Sequence, residues 1–158
     1  MKIKEEYNYV ILSNEINRLL LAKFSEYPMI DSDMSYNELK MKLEFHTSKV
    51  VVFNNTFYNL RDEEQKEIID LLKRQNMHFI LITSNIEEAL LGDYIIVFDK
   101  KGIFLEGLKS EVLKEEKKLK KVGFGLPFVV DLSIQLNYYD IFKKVYFDMN
   151  ELVNDLWK

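Results

Sequence analysis

Glycine is scarce in this chain, and its distribution is uneven. The 158 residues contain five glycines, and none precedes Gly92. A phosphate-binding loop needs glycines so that backbone N–H groups can converge on the phosphates, with a lysine and a Ser/Thr beside them. The apolar run YVIL (Tyr9 to Leu12) leads instead into Ser13-Asn14-Glu15-Ile16-Asn17-Arg18, and Glu15 there would repel phosphate. Cysteine is absent, which excludes a disulfide scaffold and a thiolate metal site and fits a reducing compartment. No stretch approaches the ~18 apolar residues of a membrane span. The N-terminus MKIKEEYNYV is too charged for a signal peptide, so a cytoplasmic location is expected. Positive charge is also in deficit. The net charge is −4, so the chain as a whole does not attract nucleic acid, and only a local basic patch would do so. Internal repeats and low-complexity linkers are missing too.

What is present reads as a soluble globular domain, with 47% hydrophobic and 30% charged residues. Tyr9 to Leu12 predicts a buried strand. Glu15 to Glu26 predicts a helix with Ile16, Leu19, Leu20 and Phe24 on its apolar side, and Pro28 ends that unit. Ser35-Tyr36-Asn37-Glu38 is a capping box opening a helix to about His46. Val50 to Phe53 is a strand, and Asp62 to Gln75 a helix with acid in its first turn, where the helix dipole favours it. Phe79 to Thr83 and Tyr94 to Phe98 are apolar throughout, as expected of strands buried on both faces of a parallel sheet. Asn85 caps a short helix from Ile86 to Leu91. Asp99-Lys100-Lys101-Gly102 is a hairpin turn into a further strand. The tail is helical: Lys109 to Lys121, Phe128 to Leu136, and a last helix capped by Asp148. The expected fold is therefore α/β with a mainly parallel sheet. Residues 1–107 form the core, and residues 108–158 a helical extension packed on or next to it.

The stretch FNNTFYNLRD, followed by TSNIEEALLGDYIIVFDKKGIFLEG and the tail VGFGLPFVVDLSIQL, resembles the ATPase subunits of energy-coupling factor transporters. These form a branch of the ABC ATPases that reads LDEPTAGLDP and then THDMEEALLADRVIVLDKGKIVLEG. The resemblance covers Val50 to Lys158. It implies that Asn54 stands at the aspartate of the Walker B strand and Asn55 at the catalytic glutamate. Arg61 then stands at the D-loop aspartate and Ser84 at the switch histidine. An amide cannot supply the negative charge that holds Mg²⁺, nor act as a general base toward water. MSYNEL (Met34 to Leu39) lies near the place of the signature LSGGQ. Only 37 residues separate Leu12 from Val50, too few for the helical subdomain and Q-loop of that family.

These departures lead to the expectation of a degenerate ABC-type domain that is not an enzyme, carries no catalytic residue, and needs no cofactor or metal ion. Its function is then expected to be binding or scaffolding in a homo-oligomer. The strand-loop-helix VVVFNNTFYNLRDEEQKEI also resembles the degenerate ABC-like adaptation protein of type II-A CRISPR systems. That likeness implies binding of double-stranded DNA ends beside CRISPR adaptation proteins. The lysines to carry it are Lys114, Lys117, Lys118, Lys120 and Lys121, the densest basic cluster. The alternative is an accessory or regulatory partner of an intact ABC ATPase subunit. His46 and His78 read as solvated. The aromatic tail residues, including Phe124, Tyr138, Tyr139, Tyr146 and Trp157, divide between core and an oligomer interface.

Overall fold

The computed structural model describes residues 3–158. It contains a six-stranded sheet in the order β2-β3-β4-β1-β5-β6. The strands are β1 (Tyr9–Leu12), β2 (Met29–Asp31), β3 (Val50–Asn54), β4 (His78–Thr83), β5 (Tyr94–Asp99) and β6 (Gly102–Leu108). The first five run parallel and β6 returns antiparallel to β5. This is the α/β architecture with a mainly parallel sheet that the apolar strand runs imply. The hairpin turns at Gly102, whose φ of 128° only glycine adopts freely. The Asp99 carboxylate accepts the Lys101 N–H across that turn at 2.7 Å.

The helices are α1 (Arg18–Ala22), α2 (Tyr36–Glu44), α3 (Asp62–Arg74), α4 (Lys109–Val112), α5 (Glu116–Lys121), α6 (Phe128–Tyr138) and α7 (Met149–Leu156). Short 3-10 helices span Thr56–Asn59 and Ile86–Leu91. The capping box of α2 closes both ways: Ser35 Oγ accepts the Glu38 N–H, and the Glu38 carboxylate accepts the Ser35 N–H at 2.9 Å. In α3, three acids fill the first turn and Lys73 and Arg74 the last, which suits the helix dipole at both ends.

Each sheet face carries its own apolar layer. One joins Val10, Val51, Phe53, Leu81 and Ile95 to α2, α3 and the tail residues Leu113, Leu119, Val130 and Leu152. The other joins Tyr9, Ile11, Val52, Ile80 and Ile96 to Leu20 and Phe24. Burying each such side chain contributes about 1.5–3 kcal/mol. The tail thus shares the core layer of the sheet.

Three elements differ from the sequence reading. The first helix is only Arg18–Ala22, because Asn17 caps it: Asn17 Oδ1 accepts the N–H groups of Leu19 and Leu20, both at 3.0 Å. The edge strand β2 follows Pro28 directly, where only a break was expected. The helix expected from Lys109 to Lys121 breaks after Val112, and the bend lets Leu113 and Leu119 both reach full burial. His46 and His78 are half-buried rather than solvated, each with one ring nitrogen shielded from water and without a hydrogen-bond partner.

Candidate functional site

The residues matched to the ATPase motifs gather where the strands end. Asn54 closes β3 and pairs in register with Ile82 of β4. Its Nδ2 donates to Asp31 Oδ1 of β2 at 2.7 Å. Asn55 follows in the left-handed region (φ 52°), a conformation asparagine tolerates, and its N–H donates to the Ile82 carbonyl at 2.8 Å. Thr56 is buried and donates to the Ile30 carbonyl at 2.8 Å. Ser84 sits exposed just past β4. Arg61 is the N-cap of α3 and turns toward Glu64 at 2.8 Å. That hydrogen bond raises the Arg61 pKa and lowers that of Glu64. Asn54, Asn55 and Ser84 thus share the carboxyl-end rim of neighbouring strands, and Arg61 is committed to its own helix.

A cleft lies beside this rim, at the carboxyl end of β1. Its volume is about 870 Å³. In open α/β sheets, ligands bind outside the carboxyl ends of strands where the chain reverses its direction of winding. Here β1 lies between β4 and β5, with its own crossover passing through α1 to the distant β2. Ser13, Asn14 and Asn17 of the loop after β1 line the cleft, with Leu20 and Phe98 as apolar floor. Lys23, Lys100, Lys101 and Lys121 also line it. Glu15, expected to repel anions, is 3.5 Å from Lys100. The tail reaches this loop: Asn14 Nδ2 donates to the Val122 carbonyl at 2.6 Å. Gly123 (φ 85°) permits that approach, since a Cβ there would lie 2.9 Å from Asn14 Nδ2.

The lysine cluster is divided. Lys118 pairs with Glu115 at 3.2 Å and Lys120 with Glu116 at 2.5 Å. Lys114, Lys117 and Lys121 have no carboxylate partner among the described residues. Sequence reading missed the cleft's positive lining because Lys23, Lys100 and Lys121 are far apart in the chain. Only the Lys100-Lys101 pair gave a local signal.

Glu88 is a further group that the sequence did not mark. It is 3% exposed, and its Oε2 has no partner. Burial raises its pKa, opposed by hydrogen bonds from Thr83 and Asn85. Lys109 is lowered by burial and donates to the Leu90 carbonyl at 3.0 Å. Among the described residues there is no group of three metal-ligating side chains, and no helix is long and apolar enough to cross a membrane.

The C-terminal helices carry a group of exposed apolar side chains. Met149, Val153, Leu156 and Trp157 follow the i, i+4, i+7, i+8 spacing and are all exposed, while α7 buries only Leu152. Tyr138, Tyr139 and Ile141, at the end of α6, are exposed as well. Phe124 and Tyr146 are in the core. Asp155 ties α7 to the preceding loop through Lys144 at 3.0 Å and the Tyr146 hydroxyl at 2.8 Å.

The mainly parallel sheet with its helices is similar in fold to an ABC-type ATPase domain. The solved structure of cbiO1 from Clostridium perfringens, part of the ABC transporter complex cbiONQ, aligns with a TM-score of 0.51 at 14% identity. The alignment covers 77% of this chain and 85% of that one. In sequence, the chain is similar to energy-coupling factor transporter ATP-binding proteins EcfA1. Identity is 32% over 98 residues with that of Geobacillus kaustophilus, covering 61% of this chain and 35% of the relative. It is 34% over 98 residues with that of Clostridium perfringens, covering 61% and 34%. With Mesomycoplasma hyopneumoniae it is 29% over 114 residues, covering 70% and 40%. The chain spans between 34% and 40% of the length of these curated relatives. No family model matches.

These relatives correct one expectation. The chain was expected to fall outside the enzymes, yet the proteins it is similar to are ATP-binding proteins of energy-coupling factor transporters, which overturns that expectation. The expectation was drawn from the amides at Asn54 and Asn55 and from the lack of glycine before Gly92, local signals that do not decide the activity of a chain matching about a third of each relative.

Proposed function

We propose that this chain works within an ABC-type ATPase assembly of the energy-coupling kind, docking on an ATP-binding subunit through its C-terminal helices. The observation that carries this reading is the exposed apolar row Met149, Val153, Leu156 and Trp157 at the C-terminus, with Tyr138 and Tyr139 exposed at the end of α6. Contiguous exposed apolar surface of this kind marks protein–protein contact sites. The likeness to the EcfA1 proteins supports the choice of partner. The test is co-purification of the full chain with an EcfA1-type ATP-binding protein, followed by ATP turnover of the mixture. A stable complex whose turnover differs from that of the partner alone supports the reading. Failure to associate, or a homodimer formed in place of the complex, overturns it.

A second reading is binding of duplex DNA ends, as an accessory protein of type II-A CRISPR adaptation. The unpaired Lys114, Lys117 and Lys121 favour the DNA contact. Binding that weakens steeply with salt is the expected result. No binding at low salt would sink this second reading.

A further inference from the structure

We infer that the cleft at the carboxyl end of β1 seats a nucleic-acid phosphate backbone, entering along Lys114, Lys117 and Lys121 and passing to Lys100, Lys101 and Lys23. The inference rests on the DNA reading above and gives it a path and a new set of residues.

The lysines of the basic segment differ in their partners. Lys118 and Lys120 are held by Glu115 and Glu116 on their own helix. Lys117 and Lys121 are four residues apart and lie on one face of α5, about 6 Å apart along its axis. Lys114 stands in the turn before them. Lys121 belongs to both settings: it ends α5 and it lines the cleft. The basic helix and the cleft are therefore one continuous surface.

Inside the cleft the balance of charge is positive. Four lysines face two acids, Glu15 and Asp99. Glu15 is already near Lys100 at 3.5 Å, and the Asp99 carboxylate accepts the Lys101 N–H. Asn17 adds an amide N–H₂ with no acceptor among the described residues, because only its Oδ1 is used in capping α1. The whole chain carries −4, so attraction of a polyanion depends on local strips of positive charge such as this one. A single small anion would be satisfied by two of these lysines. Six, spread over a helix, a hairpin turn and the residue after α1, fit an anion that repeats.

The experiment measures binding of the full chain to labelled duplex and single-stranded oligonucleotides across a salt series. The variants are K100E/K101E in the cleft, K117E/K121E on the helix, and K66E/K73E on α3 as a control of equal charge. Each lost phosphate contact should reduce the slope of log K against log salt by about 0.9 for duplex and about 0.7 for single strands. K100E/K101E should therefore lower it by about 0.9 to 1.8 for duplex, the lower figure if Lys100 stays with Glu15, and weaken binding about tenfold at low salt, with the melting temperature unchanged. The slope obtained with each oligonucleotide identifies which form of the backbone is held. Loss of binding in K117E/K121E with K100E/K101E unaffected overturns the cleft path and leaves the DNA reading standing. Equal weakening by K66E/K73E overturns the path as well, by reducing it to net charge. No binding to either oligonucleotide overturns the inference and the DNA reading together.

Discussion

The carboxyl-end rim of β3 and β4 and the outer face of α7 offer opposite kinds of surface. At the rim, polar side chains satisfy one another: Asn54 binds Asp31, Thr56 binds the Ile30 carbonyl, and Arg61 binds Glu64. Beneath it, Phe53, Phe57 and Phe79 pack ring against ring, with centroids 5.1 and 6.3 Å from Phe53. On α7, Asp155 fixes the helix to its own loop, and the apolar row beyond it is exposed, with no cover among the described residues. The rim is closed on itself, and the α7 row is open. Substitutions beneath the rim should therefore show up in stability, and substitutions on α7 in association.

The largest effect is expected from Phe53→Ala, which empties the ring cluster under the rim. It should lose about 3–5 kcal/mol of unfolding free energy, read as a lower urea midpoint. Gly123→Ala comes next. It forces a side chain into the left-handed region against Asn14, a strain of about 1–3 kcal/mol. A melting temperature equal to that of the native chain would show that the tail does not rest on this loop. Asn54→Asp restores the acid of the family motif but sets it against Asp31. Loss of the hydrogen bond and the new repulsion should lower stability by about 1 kcal/mol at neutral pH. The loss should diminish as pH falls and the pair takes up a proton. An unchanged or higher stability would mean that the rim is still suited to carboxylates.

Glu88 gives a pH test of the same region. Its folded pKa is raised, so the folded state holds its proton more tightly than the unfolded chain does. That contribution is full below the ordinary glutamate value of ~4.3 and is lost as pH rises through the folded value. Glu88→Gln should remove this part of the decline above ~4.3, measured as melting temperature against pH. Trp157→Ala is expected to change stability least, within about 0.5 kcal/mol, while weakening association with the ATP-binding partner at least tenfold. A large stability loss there would break the contrast, because it would place Trp157 in the core.

Much of the sheet was legible because its strands are apolar on both faces. Tyr9 to Leu12 has the predicted bounds, and Phe79 to Thr83 and Tyr94 to Phe98 each grow by one residue. The α2 capping box was legible because its two partners lie three residues apart. β2 was not, since Met29 to Asp31 is too short to show a period, although Ile30 is buried. That omission concealed the Asp31–Asn54 contact. The cleft was hidden for a related reason. Its lysines come from the residue after α1, the β5–β6 turn and α5, and only the folded sheet brings them to one place. The exposed row on α7 shows the reverse case: its spacing was in the sequence, but only the fold reveals which side faces out.

The central claim is that the C-terminal helices dock on an ATP-binding subunit. Light-scattering mass measurement of the native chain mixed with an EcfA1-type protein tests it most directly, with Val153→Asp/Leu156→Asp run in parallel. The account predicts a complex with the summed mass for the native chain, and two separate species for the variant. Separate species with the native chain, or an undiminished complex with the variant, would contradict it.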